Sequence, residues 1–156
     1  MQKIDWDKDE NFKEVSEEEI NHLENHFSIN FPNDYREFIK NHSGCDPLDK
    51  DVVDIGDFRE TLNGLFDIRD DDETISLLEM YIGSKDRLID NVIPFADDPA
   101  GNLFCFDYRR SSTDPVIVFW DHEEAFENPE NALTYICDSF TDLINSLREY
   151  DEDEDE

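Results

Sequence analysis

The sequence predicts a single α+β domain in which an antiparallel or mixed sheet is flanked by helices. Two observations lead to this class. Segments with the apolar spacing of helices stand at both ends of the chain, and short apolar runs rich in β-branched and aromatic residues stand between them. The chain's 156 residues match the usual length of one domain. We place that domain at 1–148 and expect 149–156 to be a disordered acidic tail.

The first helix is predicted to run from Ser16 to about Phe27. Ser16 and Glu19 have the spacing of a capping box, in which each side chain accepts a hydrogen bond from the other residue's backbone N–H. Ile20, Leu23 and Phe27 then recur at helical spacing. The pattern therefore predicts an amphipathic helix with a well-defined start.

A second helix is predicted to begin at Phe31-Pro32-Asn33-Asp34 and to end at Ser43-Gly44. Proline is tolerated in the first turn of a helix, and glycine is common just beyond the last turn. Because the link between the two helices is short, we expect them to pack as a pair.

The middle of the chain predicts a sheet. Residues 46–69 indicate one or two short strands with a turn at Asn63-Gly64, and 73–84 indicate a third helix. Strands are predicted at 92–96, 103–108 and 115–120, the last two as antiparallel neighbours joined by a hairpin. A long amphipathic helix over 132–150 is predicted to close the domain.

The charge of the chain limits its partners. Forty-three acidic residues against thirteen basic ones give a formal net charge of −30. Such a chain lacks the basic surface needed to neutralise phosphates, so we expect no binding to nucleic acid. A basic protein is the natural complement, although the same charge also serves solubility. Twelve Phe, five Tyr and two Trp argue for a folded domain, because disordered acidic chains are poor in aromatic residues.

Cysteine usage and hydropathy indicate the compartment. Cys45, Cys105 and Cys137 are widely spaced and form no C-x-x-C pair, which favours buried free thiols in a reducing environment. The first five residues do not resemble the start of a signal peptide. No stretch approaches the roughly 20 apolar residues that span a bilayer. We therefore expect a cytoplasmic protein without membrane association.

Two patterns resemble metal sites, and both are incomplete. His22 and His26 stand one helical turn apart, but Glu24 between them fits neither the H-E-x-x-H nor the H-x-x-E-H pattern. The acidic run from Asp7 has the spacing of a calcium loop, but Phe12 occupies the place where the turn needs glycine. We therefore expect no metal and no cofactor.

The sequence also contains no pattern typical of catalysis. It has no G-x-S-x-G elbow and no glycine-rich phosphate loop. Asp97-Asp98 and Asp121-His122-Glu123-Glu124 could bring a carboxylate pair beside a histidine. In a chain with 43 carboxylates such clusters arise by chance, so we do not expect an enzyme.

Four motifs, in the same order along the chain, resemble signatures of the SMI1/KNR4 (SUKH) superfamily. They are an acidic helix followed by FPNDYREFI at 31–39 and NHSG at 41–44, IPFADDPAGNLFCFD at 93–107, PVIVFWDHE at 115–123, and SFTDLI at 139–144. One departure is Ser43-Gly44-Cys45, where the family often has Asn-Gly-Gly; it affects only a turn.

The resemblance implies both a fold and a function. The family's fold is similar to the α+β domain predicted above. Bacterial members are immunity proteins, which bind and neutralise the toxin domain of a polymorphic toxin, in many cases a nuclease. Nuclease domains carry basic surfaces, so an acidic inhibitor would gain both association rate and specificity. Eukaryotic members are longer regulators of cell-wall synthesis, and this compact chain is more similar to the bacterial type.

We expect the partner to bind at the end of the predicted sheet. Tryptophan is enriched at interface hot spots, and surrounding carboxylates could pair with lysine and arginine. The predicted contact residues are Asp97, Asp98, Trp120, Asp121, Glu123 and Glu124. The alternative is that Trp120 belongs to the core and that Asp97-Asp98 only shape a turn with Gly101. A second candidate edge is Asp70-Asp71-Asp72-Glu73.

Two other functions remain open from the sequence. The first is a regulatory or scaffold module of the same fold, which would have several weaker partners. The second is an acidic DNA mimic, which would present carboxylates along one face at the spacing of phosphates, about 1.7 Å of axis per charge. Acidic residues cluster in predicted loops and in the tail, which counts against mimicry.

Overall fold

The structure is a computed structural model that describes residues 1–70 and 75–155. Ten strands are found in this part of the chain: β1 Trp6–Asp7, β2 Asp46–Pro47, β3 Lys50–Ile55, β4 Phe58–Thr61, β5 Gly64–Leu65, β6 Val92–Asp97, β7 Leu103–Asp107, β8 Val116–Trp120, β9 Leu133–Cys137 and β10 Leu147–Glu149. Its α-helices are α1 Glu17–Phe27, α2 Asn33–His42, α3 Leu77–Ser84, α4 His122–Glu127 and α5 Phe140–Ser146. Single turns of 3-10 helix occupy Pro129–Asn131 and Glu152–Asp155.

The strands form one large sheet and two small ones. The large sheet has the order β5-β6-β7-β8-β9, a second sheet has the order β10-β3-β4, and β1 pairs with β2. Every ladder between these strands is antiparallel. The predicted α+β class is therefore confirmed, and so is the predicted hairpin of β7 and β8, which pair from Leu103↔Trp120 to Asp107↔Val116.

The two N-terminal helices follow their sequence signals. Ser16 caps α1: its Oγ accepts a hydrogen bond from the Glu19 N–H at 3.2 Å, and the Glu19 carboxylate accepts one from the Ser16 N–H at 3.1 Å. The α1 helix ends at Phe27 and is followed by Ser28, whose φ of 57° lies in the left-handed region. The α2 helix begins directly after Pro32 and ends before Ser43. Both predicted helices are confirmed.

The prediction of one or two strands turning at Asn63-Gly64 is wrong. The region from Asp46 contains four strands, and its hairpin turns at Gly56-Asp57, where Gly56 has a φ of 56°. Gly64 instead begins the strand β5, in which it pairs with Asp97 of β6. A Cβ at position 64 would stand 2.0 Å from the Asp46 carboxylate oxygen Oδ1, so any larger residue there would force the Asp46 side chain to move.

The third helix is shorter than predicted. It begins at Leu77 after Ser76, whose Oγ accepts a hydrogen bond from the Glu79 N–H at 3.0 Å and donates one to Asp70 at 3.0 Å. Ser76 is therefore the N-cap of α3, and serine is among the residues most favoured at that position. Positions 71–74 lie outside the described residues, as does most of the second candidate edge.

The prediction of one long helix over 132–150 is also wrong. This segment contains β9, the helix α5 and the strand β10. Leu133, Tyr135 and Ile136 belong to a run that suits a strand as well as a helix, and pairing with β8 decides between the two. Ser139 then caps α5 by accepting a hydrogen bond from the Asp142 N–H at 3.1 Å. The chain beyond α5 pairs with β3.

Aromatic side chains fill the core between the helices and the large sheet. Phe95 and Phe106 stack at 4.4 Å between ring centroids, and Tyr35 meets Phe106 at 4.9 Å and Phe140 at 5.3 Å. All four side chains are fully buried. The three cysteines are free and buried, in agreement with the sequence-based prediction. That 149–156 forms a disordered tail stays a prediction.

Candidate partner-binding site

Three strands of the large sheet bring the predicted contact residues to one place. Asp97 at the end of β6 pairs with Leu103 at the start of β7, and Leu103 pairs with Trp120 at the end of β8. The β6–β7 turn and the start of α4 therefore meet at the same end of the sheet. We call this region the acidic corner, and define it by Glu60, Asp97, Asp98, Asp121, Glu123 and Glu124.

Asp98 organises the β6–β7 turn from inside. Its side chain is 4% exposed and accepts hydrogen bonds from the Ala100 N–H at 2.9 Å, from the Asn102 N–H at 2.7 Å and from the Asn102 amide at 2.9 Å. Asn102 in turn accepts a hydrogen bond from the His122 N–H at 3.0 Å and meets the His122 ring nitrogen Nδ1 at 2.7 Å. The turn and the start of α4 are thus joined into one unit.

Asp121 starts α4, and the helix then presents further carboxylates. The Asp121 side chain accepts hydrogen bonds from the Glu123 N–H at 3.0 Å and from the Glu124 N–H at 3.2 Å. An acidic cap and acidic residues in the first turn are favoured by the positive end of the helix dipole. Glu123 is exposed and Glu124 is half-buried, so α4 places charge on the surface.

Trp120 lies inside the fold. Its side chain is 2% exposed, and its Nε1–H has no hydrogen-bond partner among the described residues. The Arg87 guanidinium lies over the ring at 5.7 Å from the centroid. Trp120 and Asp98 therefore support the corner from beneath, whereas Asp97, Asp121, Glu123 and Glu124 have side chains that reach solvent to differing degrees.

The carboxylates of the acidic corner repel one another. Burial raises the pKa of Asp97, and the nearby carboxylates of Asp46 and Asp98 raise it further, against a hydrogen bond from Asn63. Burial likewise raises the pKa of Glu60, with further increases from Asp98 and Asp121. The ionised corner is thus electrostatically unfavourable by itself, and a cationic partner would relieve that cost.

We predict that Asp97→Asn stabilises the protein at pH 7. The folded-state pKa of Asp97 is raised, so its ionisation costs more in the folded than in the unfolded state. That cost is absent below the ordinary aspartate pKa of about 3.9, grows as the pH rises through the raised folded pKa, and is constant above it. The expected gain at pH 7 is about 0.5 kcal/mol, and none is expected at pH 3.

Thermal unfolding at pH 3 and pH 7 measures this difference. The matched control is Asp114→Asn, which removes the same charge from an exposed loop. Equal stabilisation by the two variants would show that net charge, and not the acidic corner, is responsible.

The structure draws attention to two residues that the sequence did not indicate, Glu60 within the acidic corner and Phe126 beside it on α4. Phe126 on α4 is 79% exposed and follows Glu123 and Glu124, whereas Ala125 beside it is buried. The sequence feature that could have indicated Phe126 is its place as an aromatic residue within an acidic run. Glu60 lies on β4, which belongs to the sheet β10-β3-β4. That strand is held at the corner by the packing of Phe58 against Phe104 and Phe119 and by the hydrogen bond from the Asn63 N–H to the Asp97 carbonyl at 2.8 Å. No sequence pattern predicts that contact.

The two sequence patterns that resemble metal sites lie outside the acidic corner. Among residues 1–70 and 75–155, no group of three or more His, Cys, Asp and Glu side chains could hold a metal ion. His22 and His26 are both exposed on α1, and Asp7 pairs with Asp46 in a strand. Within the same residues, no helix has both the length and the apolar character needed to cross a membrane.

Fold and site together define an acidic α+β domain in which six of the 43 carboxylates cluster at one end of the large antiparallel sheet. The model of the SMI1/KNR4 family (SUKH-1) matches residues 14–146 of the chain. This protein therefore belongs to the SMI1/KNR4 (SUKH-1) family, which is typically non-enzymatic and of the immunity type. The resemblance stated from the sequence motifs is confirmed.

A curated relative is also similar. The chain is 28% identical over 149 residues to the SPbeta prophage-derived uncharacterized protein YokK of Bacillus subtilis (strain 168), a match that covers 83% of this chain and 73% of the relative. No solved structure gives a significant match.

Proposed function

We propose that this protein is an immunity protein that binds a cognate polymorphic toxin and neutralises it by direct protein–protein inhibition. The observation that carries the proposal is the match to the SMI1/KNR4 (SUKH-1) family over residues 14–146. The similarity to a prophage-derived protein supports a bacterial setting for it.

The charge of the chain supports a basic partner. A formal net charge of −30 attracts a cationic domain over long distances and raises its rate of association. A nuclease toxin needs a cationic surface to bind phosphates, and an acidic protein that covers this surface would exclude the nucleic acid. We therefore propose a nuclease domain as the target.

We propose the acidic corner as the binding surface. The surface carboxylates of Asp97, Glu123 and Glu124 supply the charge, and the buried Asp98 and Trp120 hold the supporting backbone in place. Phe126 projects from the same helix at 79% exposure. An aromatic anchor surrounded by charged residues is the usual composition of an interface hot spot. The partner should therefore offer an apolar pocket with a rim of lysine and arginine.

Capture of the partner from the protein's own host tests the function. The tagged protein is purified, and the proteins captured with it are identified by mass spectrometry. We expect one stoichiometric basic partner encoded by the adjacent gene. Several substoichiometric partners, or none, would contradict the immunity function and favour a regulatory module of the same fold.

Charge variants then test the surface. The triple variant Asp97→Asn, Glu123→Gln and Glu124→Gln should weaken binding of the captured partner about tenfold or more, chiefly through slower association. The matched control removes three exposed charges elsewhere, with Asp49→Asn, Asp86→Asn and Asp114→Asn. Stopped-flow association at low and high salt distinguishes the two variants. Equal losses for both would contradict the placement of the site.

A further inference from the structure

The last strand of the large sheet leaves one edge open. In the described part of the chain, β9 pairs with β8 on one side and has no strand partner on the other. An unpaired strand edge presents backbone N–H and C=O groups that can pair with another chain. Tyr135 on this strand is 56% exposed. We propose that the free edge of β9 is a docking site for an extended, basic segment of a partner protein, which adds to the sheet as a further strand.

A groove follows this edge. It has a volume of about 500 Å³ and is lined by 135–138 of β9 and the residue after it, by Ile55 at the end of β3, and by Asp142, Asn145 and Ser146 of α5. Successive residues of a strand point to opposite faces of the sheet. A groove that touches four consecutive residues therefore runs along the edge of the strand and not over one face. Such a groove can hold an extended chain.

The lining of the groove selects the chemistry of its occupant. Its floor includes the buried side chains of Ile136 and Cys137, which favour aliphatic contacts. Its rim carries the exposed carboxylates of Asp138 and Asp142, and no lysine, arginine or histidine is among the lining residues. An extended segment that alternates aliphatic and basic residues fits both surfaces, because alternate side chains of a strand point in opposite directions.

Charge argues against a second copy of this chain as the occupant. Pairing of two β9 edges would bring the Asp138 and Asp142 carboxylates of both copies together. It would also join two chains that each carry a formal charge of −30. The inference does not depend on the proposed immunity function, because the groove lies outside the acidic corner and accepts any partner with such a segment.

A synthetic peptide tests the proposal. The probe is a capped peptide of seven residues in which lysine and valine alternate, added to the full-length, 15N-labelled protein. We expect saturable shifts of backbone amide signals concentrated in 133–138 and in Asp142 and Asn145. The same peptide with alternate backbone nitrogens methylated cannot form the strand ladder, and it should bind at least tenfold more weakly.

Variants of the protein provide a second test of peptide binding at the β9 edge. Asp138→Asn with Asp142→Asn should weaken peptide binding about threefold to tenfold at low salt, whereas Asp86→Asn with Asp114→Asn should change it less than twofold. Equal binding of the methylated peptide, amide shifts centred on the acidic corner, or the absence of binding at millimolar peptide would overturn the proposal. A dimer in sedimentation with β9 amides protected from exchange would also overturn it, since a second copy would then occupy the edge.

Discussion

Replacement of Phe95 by alanine is expected to lower the free energy of unfolding by about 3–5 kcal/mol. Phe95 is fully buried and contacts the rings of Tyr35, Phe106 and Phe140 at centroid distances of 6.0, 4.4 and 5.8 Å. These partners come from a strand and two helices, so a cavity at this point would loosen the packing of both helices on the sheet. Chemical denaturation followed by circular dichroism measures the loss.

Phe126→Ala is the matched control. It deletes the same side chain at a position that is 79% exposed, and surface changes of this kind usually stay within about 0.5 kcal/mol. A loss for Phe95→Ala no larger than that for Phe126→Ala would contradict the assignment of the core. The control serves a second purpose, because Phe126→Ala should weaken binding of the proposed partner without affecting the fold.

Replacement of Arg36 by alanine is expected to cost about 3 kcal/mol or more. The guanidinium donates hydrogen bonds to Glu24 and, at 2.6 Å, to Glu17. Glu24 is 7% exposed and also accepts a hydrogen bond from the Phe31 N–H at 2.6 Å. The variant would leave a buried carboxylate without its cation at the contact between α1 and α2.

Two further variants isolate the buried pair. Lys40→Ala removes a half-buried partner of the exposed Glu17 and should have a much smaller effect, because ion pairs open to solvent contribute little. The double variant Arg36→Ala with Glu24→Gln should recover part of the loss, since the uncompensated charge is then absent. Unfolding curves for the four proteins form the comparison, and an Arg36→Ala curve that coincides with the Lys40→Ala curve would argue against a buried pair.

The helices and strands that were predicted correctly are defined by residues within the same segment of sequence. The α1 helix begins where Ser16 and Glu19 form a capping box, and its apolar stripe buries Ile20 and Leu23. The strands β6, β7 and β8 are continuous apolar runs, and the hairpin of the last two follows from a polar spacer between them. Local hydrogen bonds and hydrophobic periodicity suffice to define such elements.

The elements predicted wrongly depend on partners distant in sequence. The segment over 132–150 has the apolar content of a helix, but pairing with β8 and then with β3 divides it into strand, helix and strand. Asn63-Gly64 has the composition of a turn, yet Gly64 lies in β5 opposite Asp97 and close to the Asp46 carboxylate. Strand pairing and close backbone approach are set by other segments, so single-sequence patterns do not contain them.

The same division applies to the candidate site. The sequence alone indicates the family, the acidic character of the chain and the clustering of carboxylates at 97–98 and 121–124. Only the tertiary structure decides that Asp98 and Trp120 are buried, and that Glu60 and Phe126 join the surface around them. Motifs and net charge can be read directly from the sequence. The exposure of a side chain and its distance from other side chains depend on how segments distant in sequence pack together in the core.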